Sequence, residues 1–141
     1  MARLGNFIYC LNAERVPAVN GKGDTINAMG VLSALTLEFM PGTFSFSIIF
    51  SVLDADASQR NEIQIIFSKK DTVLIDSGVI SIPPIESTDN YDLPKEYKGL
   101  NMSMDFRNVI FKEEGLYQTK VVFNNQEVGI NEIYVKGKVR D

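Results

Sequence analysis

Residues 43–53, TFSFSIIFSVL, restrict the fold more than any other stretch of the chain. Phe44, Phe46, Ile48, Phe50 and Val52 recur at every second position, with Ser45, Ser47 and Ser51 between them and Ile49 as the exception. Side chains of an extended chain point to opposite faces in turn, so this run has one apolar face and one wetter face. A helix would scatter the aromatics around its circumference. The run reads as a strand of an antiparallel sheet with one face on a core.

The same grammar recurs along the chain. Phe7, Tyr9, Leu11 and Ala13 alternate with Ile8, Cys10 and Asn12 until Val16-Pro17 ends the run, because proline cannot donate to a ladder. Asn20-Gly21-Lys22-Gly23-Asp24 reads as a loop. Residues 31–39 read as one strand, bounded by Gly30 and Pro41. Ile63, Ile65 and Phe67 mark another, which exits at Lys69-Lys70-Asp71. Residues 72–82 read as a single strand with a bulge at Gly78, and Pro83-Pro84 stops it. Residues 85–98 form the longest expected loop, and a loop of that length in a compact domain is often functional. Leu100, Met102, Met104 and Phe106 alternate again. A hairpin closes the pattern: Tyr117, Thr119, Val121 and Phe123 lead into Asn124-Asn125, which tolerate positive φ, and a return strand follows. A phase change between Ile130 and Ile133 predicts a bend near Asn131-Glu132. Tyr117 after Gly115 reads as a tyrosine corner, whose hydroxyl bonds back to upstream backbone.

About eight short strands with turn signals between them predict an all-β, antiparallel two-sheet sandwich. Immunoglobulin-like and jelly-roll topologies are both open, since the pattern does not reveal strand order. Residues 1–141 read as a single domain with a polar tail from about 136.

Fourteen basic and eighteen acidic residues give a net charge of −4, with no dense Lys/Arg run. That balance speaks against nucleic acid as a partner, because phosphate binding draws on clustered cations. The apolar run at residues 7–11 is too short for a secretory or membrane segment, so no membrane association and a cytoplasmic location are expected. The single cysteine has no partner for an internal disulfide.

Three pieces carry a resemblance: NFIYCLNAERVP, the GVLSALTLEFMPG run leading into FSFSIIFSVLDAD, and VIFKEEGLYQTKVVFNNQEVG. Together they resemble a family of uncharacterised bacterial β-sandwich proteins, over most of the chain except residues 86–98. The resemblance implies a compact sandwich and transfers no catalytic motif.

The absence of histidine removes the usual neutral-pH base and the commonest metal ligand, which excludes Ser-His-Asp and Cys-His chemistry within one chain. Cys10 reads as a small buried residue, with no activating base near it in sequence. Asp54-Ala55-Asp56 is the sharpest acidic pair, but it lacks the calcium-loop pattern and reads as a solvated turn. Glu113-Glu114 reads as a strand-entry turn; adjacent carboxylates do not flank a glycosidic bond. The glycines at 21 and 23 match neither a P-loop nor a dinucleotide fingerprint. No catalytic residue, metal site or cofactor is therefore expected.

Tyr91, Leu93 and Tyr97 in the long loop are the candidate partner-binding residues. Tyrosine offers a broad apolar face with a polar tip, and loops on rigid sheets commonly carry recognition. The competing reading folds them back over one end of the sandwich. The chain reads as a nonenzymatic protein-interaction or structural module in a bacterial or phage-associated assembly. A module for carbohydrate or calcium is the alternative. Self-association through an edge strand is open.

Overall fold

The computed structural model describes residues 1–17, 24–85 and 93–138. Ten strands run through them: β1 (Arg3–Pro17), β2 (Asp24–Leu32), β3 (Ala34–Leu37), β4 (Gly42–Leu53), β5 (Asn61–Lys69), β6 (Thr72–Asp76), β7 (Ile80–Ile82), β8 (Gly99–Phe111), β9 (Gly115–Phe123) and β10 (Gln126–Gly137). A 3-10 turn at Lys95–Tyr97 precedes β8. Among the described residues no helix is long and apolar enough to cross a membrane.

The strands form two sheets, β2-β1-β4-β8 and β3-β10-β9-β5-β6, with β7 also on β5. The links β4 to β5 and β8 to β9 cross between sheets. Pairing of β4 with β8 in one sheet and of β5, β9 and β10 in the other is the immunoglobulin-like arrangement, which decides against a jelly roll. Tyr117 near the start of β9 completes the likeness: its hydroxyl donates to the Glu113 carbonyl at 2.7 Å.

The alternating run of β4 behaves as its spacing requires. Phe46, Ile48, Phe50 and Val52 are buried and belong to one core with Ile63, Ile65 and Phe67 of β5 and Tyr117, Val121 and Phe123 of β9. Phe46 meets Phe67 with ring centroids 5.4 Å apart, and Phe67 stacks on Tyr117 at 5.6 Å. Each such side chain contributes about 1.5–3 kcal/mol on burial. Asn124 and Asn125 take φ of 49° and 67°, the conformation that closes the β9–β10 hairpin.

Several boundaries differ from the sequence reading. Residues 31–39 are not one strand: the chain passes from the first sheet in β2 to the second in β3, which runs parallel to β10. The sandwich is therefore mixed, not wholly antiparallel. Alternation is the same on either side of such a crossing, so it leaves no trace in the pattern. The β2 strand reaches back over residues 24–30 because they pair with β1, up to Pro17 opposite Asp24. Residues 72–82 split into β6 and β7 on the same edge of β5, with Gly78 at φ +69° between them. The irregularity of the last hairpin falls between Glu127 and Gly129, not at Asn131-Glu132.

A polar tie joins the sheets through the core. The Tyr9 hydroxyl lies 2.6 Å from Thr119 Oγ1 and donates to the Asn131 carbonyl at 3.3 Å. Burial pushes the Tyr9 pKa up to about 12 from 10.0. The folded state thus holds this proton where the unfolded chain has released it, so stability present below pH 10 is lost as pH rises towards 12. The shift corresponds to about 2–3 kcal/mol. Chemical denaturation from pH 9 to 12 should show this decline, and Tyr9→Phe should remove much of the slope while costing about 1–2 kcal/mol at neutral pH. An unchanged slope in Tyr9→Phe would contradict the assignment.

Candidate functional site

Strand register gathers three distant segments at one end of the sandwich. Arg3 pairs with Leu53, and Leu53 pairs with Gly99, so the start of β1, the exit of β4 and the entry to β8 lie side by side. Gly99 is required there, since a Cβ would fall 1.8 Å from the Val52 carbonyl oxygen. Beyond these strands, residues 54–58 and 93–98 form the walls of a cleft of about 730 Å³, with Met1, Ile85 and Asn101 on its lining.

The walls are tied by backbone and side-chain bonds. The Ala55 amide donates to the Lys98 carbonyl at 3.2 Å, and the Ile85 amide donates to the Ala57 carbonyl at 2.8 Å. Asp56 Oδ1 accepts from the Ser58 hydroxyl at 2.5 Å and the Ser58 amide at 3.0 Å. Asn61, itself buried, donates to the Asp56 and Gln59 carbonyls at 3.0 and 3.2 Å. Asp54 sits at φ +57° and accepts from the Met1 amino group at 2.6 Å. That amino group, with Lys95 and Arg3 further off, holds the Asp54 carboxyl below its ordinary range. The Ser58 hydroxyl and amide do the same for Asp56.

Apolar and cationic groups line the cleft together. Leu53, Ala55, Ala57 and Leu100 supply its interior surface, while Ile85, Leu93 and Tyr97 are 48%, 45% and 60% exposed. The Arg3 guanidinium lies 5.1 Å from the Tyr97 ring centroid and braces one face of that ring. Lys95 and Lys98 also belong to the lining.

Of the three residues singled out from the sequence, Leu93 and Tyr97 both line this cleft. Tyr91 lies outside the described residues. Leu93 and Tyr97 keep about half their surface in solvent, so they do not act as a closed cap over the core. Sequence reasoning treated Asp54 and Asp56 separately from this loop, and it passed over Arg3, Ile85, Lys95 and Lys98. Nothing in the local sequence joins segments about forty residues apart; only the β4–β8 register does.

The other candidates hold structural positions. Cys10 is buried next to Ser47 on the neighbouring strand, and burial pushes its thiol pKa up, which keeps it protonated and unreactive. Ser47 donates to Asp105 at 2.5 Å. Glu113 binds Lys69 at 2.8 Å and accepts the Tyr117 hydroxyl through its carbonyl, as a strand-entry turn should. Among the described residues no three acidic or cysteine side chains cluster closely enough to hold a metal ion.

No family model matches the chain, and no curated protein matches it. Among solved structures, it is similar to a Pseudomonas fluorescens alkylpurine DNA glycosylase bound to DNA containing an abasic site analog. That likeness has a TM-score of 0.51 and 8% identity, over 96% of this chain and 30% of the other. It is also similar to a β-glucosidase from Listeria innocua, with a TM-score of 0.45 and 11% identity over 96% of this chain and 16% of the other. The chain thus spans less than a third of either protein, and the first likeness shows a shared fold alone.

The cleft wall carries its own test in acid. A carboxyl with a lowered folded pKa stabilises the fold above its unfolded value, and the contribution is lost as pH falls through the folded one. The Ser58 amide resonance should therefore titrate with a midpoint below 3.8, and Asp56→Ala should abolish that titration. A midpoint at or above 3.8 would mean that the turn does not hold its carboxylate.

Proposed function

We propose that this chain is a nonenzymatic protein-interaction module whose end cleft receives a segment of a protein partner. The observation that carries the reading is the convergence of half-exposed Ile85, Leu93 and Tyr97 on a cleft with bonded walls. Apolar side chains kept in water beside a firm concavity cost solvation until something covers them. Tyr97, braced by Arg3, brings a large contact area with little entropy left to lose.

The polar groups fit a binding role better than a catalytic one. Asp54 and Asp56 are occupied by the Met1 amino group and by Ser58, and both are held ionised, so neither is poised to donate a proton at neutral pH. A place in a larger bacterial or phage-associated assembly, in the cytoplasm, belongs to the same proposal. It rests on the resemblance carried by the strand sequences. Nucleic acid is a poor fit for a chain of net charge −4.

A quantitative pull-down from source-cell lysate tests the reading. The intact chain should retain a stoichiometric protein partner. Leu93→Ala with Tyr97→Ala should lower its capture roughly tenfold or more, whereas Leu116→Ala, an exposed change on the second sheet, should not. Equal capture by the cleft variant would exclude the cleft as the binding surface.

A further inference from the structure

The cleft wall at residues 54–58 belongs to the link between β4 and β5, and Asn61 at the start of β5 holds it. Asn61 is buried, and its amide nitrogen donates to two main-chain carbonyls, those of Asp56 at 3.0 Å and Gln59 at 3.2 Å. The Gln59 amide donates to the Asp56 carbonyl as well, at 3.3 Å. A primary amide has a donor end and an acceptor end, so this grip depends on which way Asn61 is turned. Turned over, its oxygen would face two carbonyl oxygens and release the turn.

Asn124, 63 residues on, sets that orientation. It lies one position beyond Phe123, the residue at which the β5–β9 pairing ends opposite Ile63. Its amide still donates to the Glu62 carbonyl at 2.9 Å, but a φ of 49° turns its own carbonyl out of the ladder. The side-chain oxygen of Asn124 takes that place and accepts the Glu62 amide at 2.8 Å. A main-chain N–H can bond only an acceptor, so this contact fixes the Asn124 oxygen on Glu62 and points its nitrogen at Asn61. There it donates to Asn61 Oδ1 at 3.0 Å. The Asn61 oxygen is thereby engaged, and its nitrogen is left for the wall. A main-chain N–H of β5 orients one amide, and that amide orients the next.

We propose that Asn124 is a positioning residue for the cleft: through Asn61 it fixes the Asp56 turn, and with it the wall that a partner segment meets. Only the last clause rests on the cleft as the binding surface. Turn chemistry alone does not call for asparagine here, since glycine suits a positive φ equally well. Asn125 takes φ 67° in the same turn, and its side chain lies outside this series of bonds.

The Ser58 amide reports on the wall, because it and the Ser58 hydroxyl hold the Asp56 carboxyl below 3.8, with Lys95 adding to them. An acid titration of the full chain by NMR should place the midpoint of this resonance nearer 3.8 in Asn124→Gly than in the unsubstituted chain. Asn125→Gly should leave the midpoint where it was. At neutral pH Asn124→Asp keeps the shape of the side chain but, as a carboxylate, cannot donate to the Asn61 oxygen. It should speed exchange of the Gln59 amide about tenfold. Both Asn124 variants should also lower capture of the protein partner from lysate several-fold. An unmoved midpoint in Asn124→Gly, an equal move in Asn125→Gly, or unchanged Gln59 exchange in Asn124→Asp would each overturn the positioning role. A midpoint that moves while capture stays the same would uphold that role and overturn the cleft as the binding surface.

Discussion

The packing of β4 against β5 is the constraint on which the rest of this structure depends. Phe46 on β4 reaches Phe67 on β5, and the two strands belong to different sheets although they follow one another in sequence. The link between them must cross the end of the sandwich. That crossing is the segment at residues 54–60, and its turns, built on Asp54 and Asp56, form one wall of the cleft. The other wall enters β8, which is held beside β4 over the whole length of the strand. Core packing thus sets the separation of the walls, and the loops inherit a rigid base.

A second consequence is that the polar groups of the fold are spent on structure. Tyr9 bonds Thr119 across the core, Tyr117 closes its corner on Glu113, and Asn61 ties the Asp56 turn. Among the described residues no buried side-chain polar atom lacks a partner. These groups fix register and turn geometry, since leaving any of them unpaired in the core would cost about 1–3 kcal/mol. At the surface, an aromatic ring, two aliphatic side chains and two lysines surround one concavity.

The sequence was legible where one strand reports on one face. The serine–phenylalanine alternation of β4, the asparagine turn of the last hairpin and the Tyr117 corner could all be read locally and stand as read. Elsewhere the deciding interaction is remote. Leu35 and Leu37 are buried as their spacing implies, but Val31, in the same alternating run, is 66% exposed because β2 and β3 join different sheets. Residues 25–30 carried no strand signal, because a ribbon with little buried surface needs no apolar period. The candidate cleft was half legible: Leu93 and Tyr97 stood out in the loop, while Arg3, Ile85 and the Asp54 turn join them only through tertiary register.

The most direct measurement is hydrogen–deuterium exchange by mass spectrometry, on the chain alone and bound to the protein that it retains. Slowed exchange at residues 54–58 and 93–101, with little change on β9 and β10, is the expected result. Protection on the outer face of the second sheet, with the cleft walls exchanging as in the free chain, would contradict binding at the cleft.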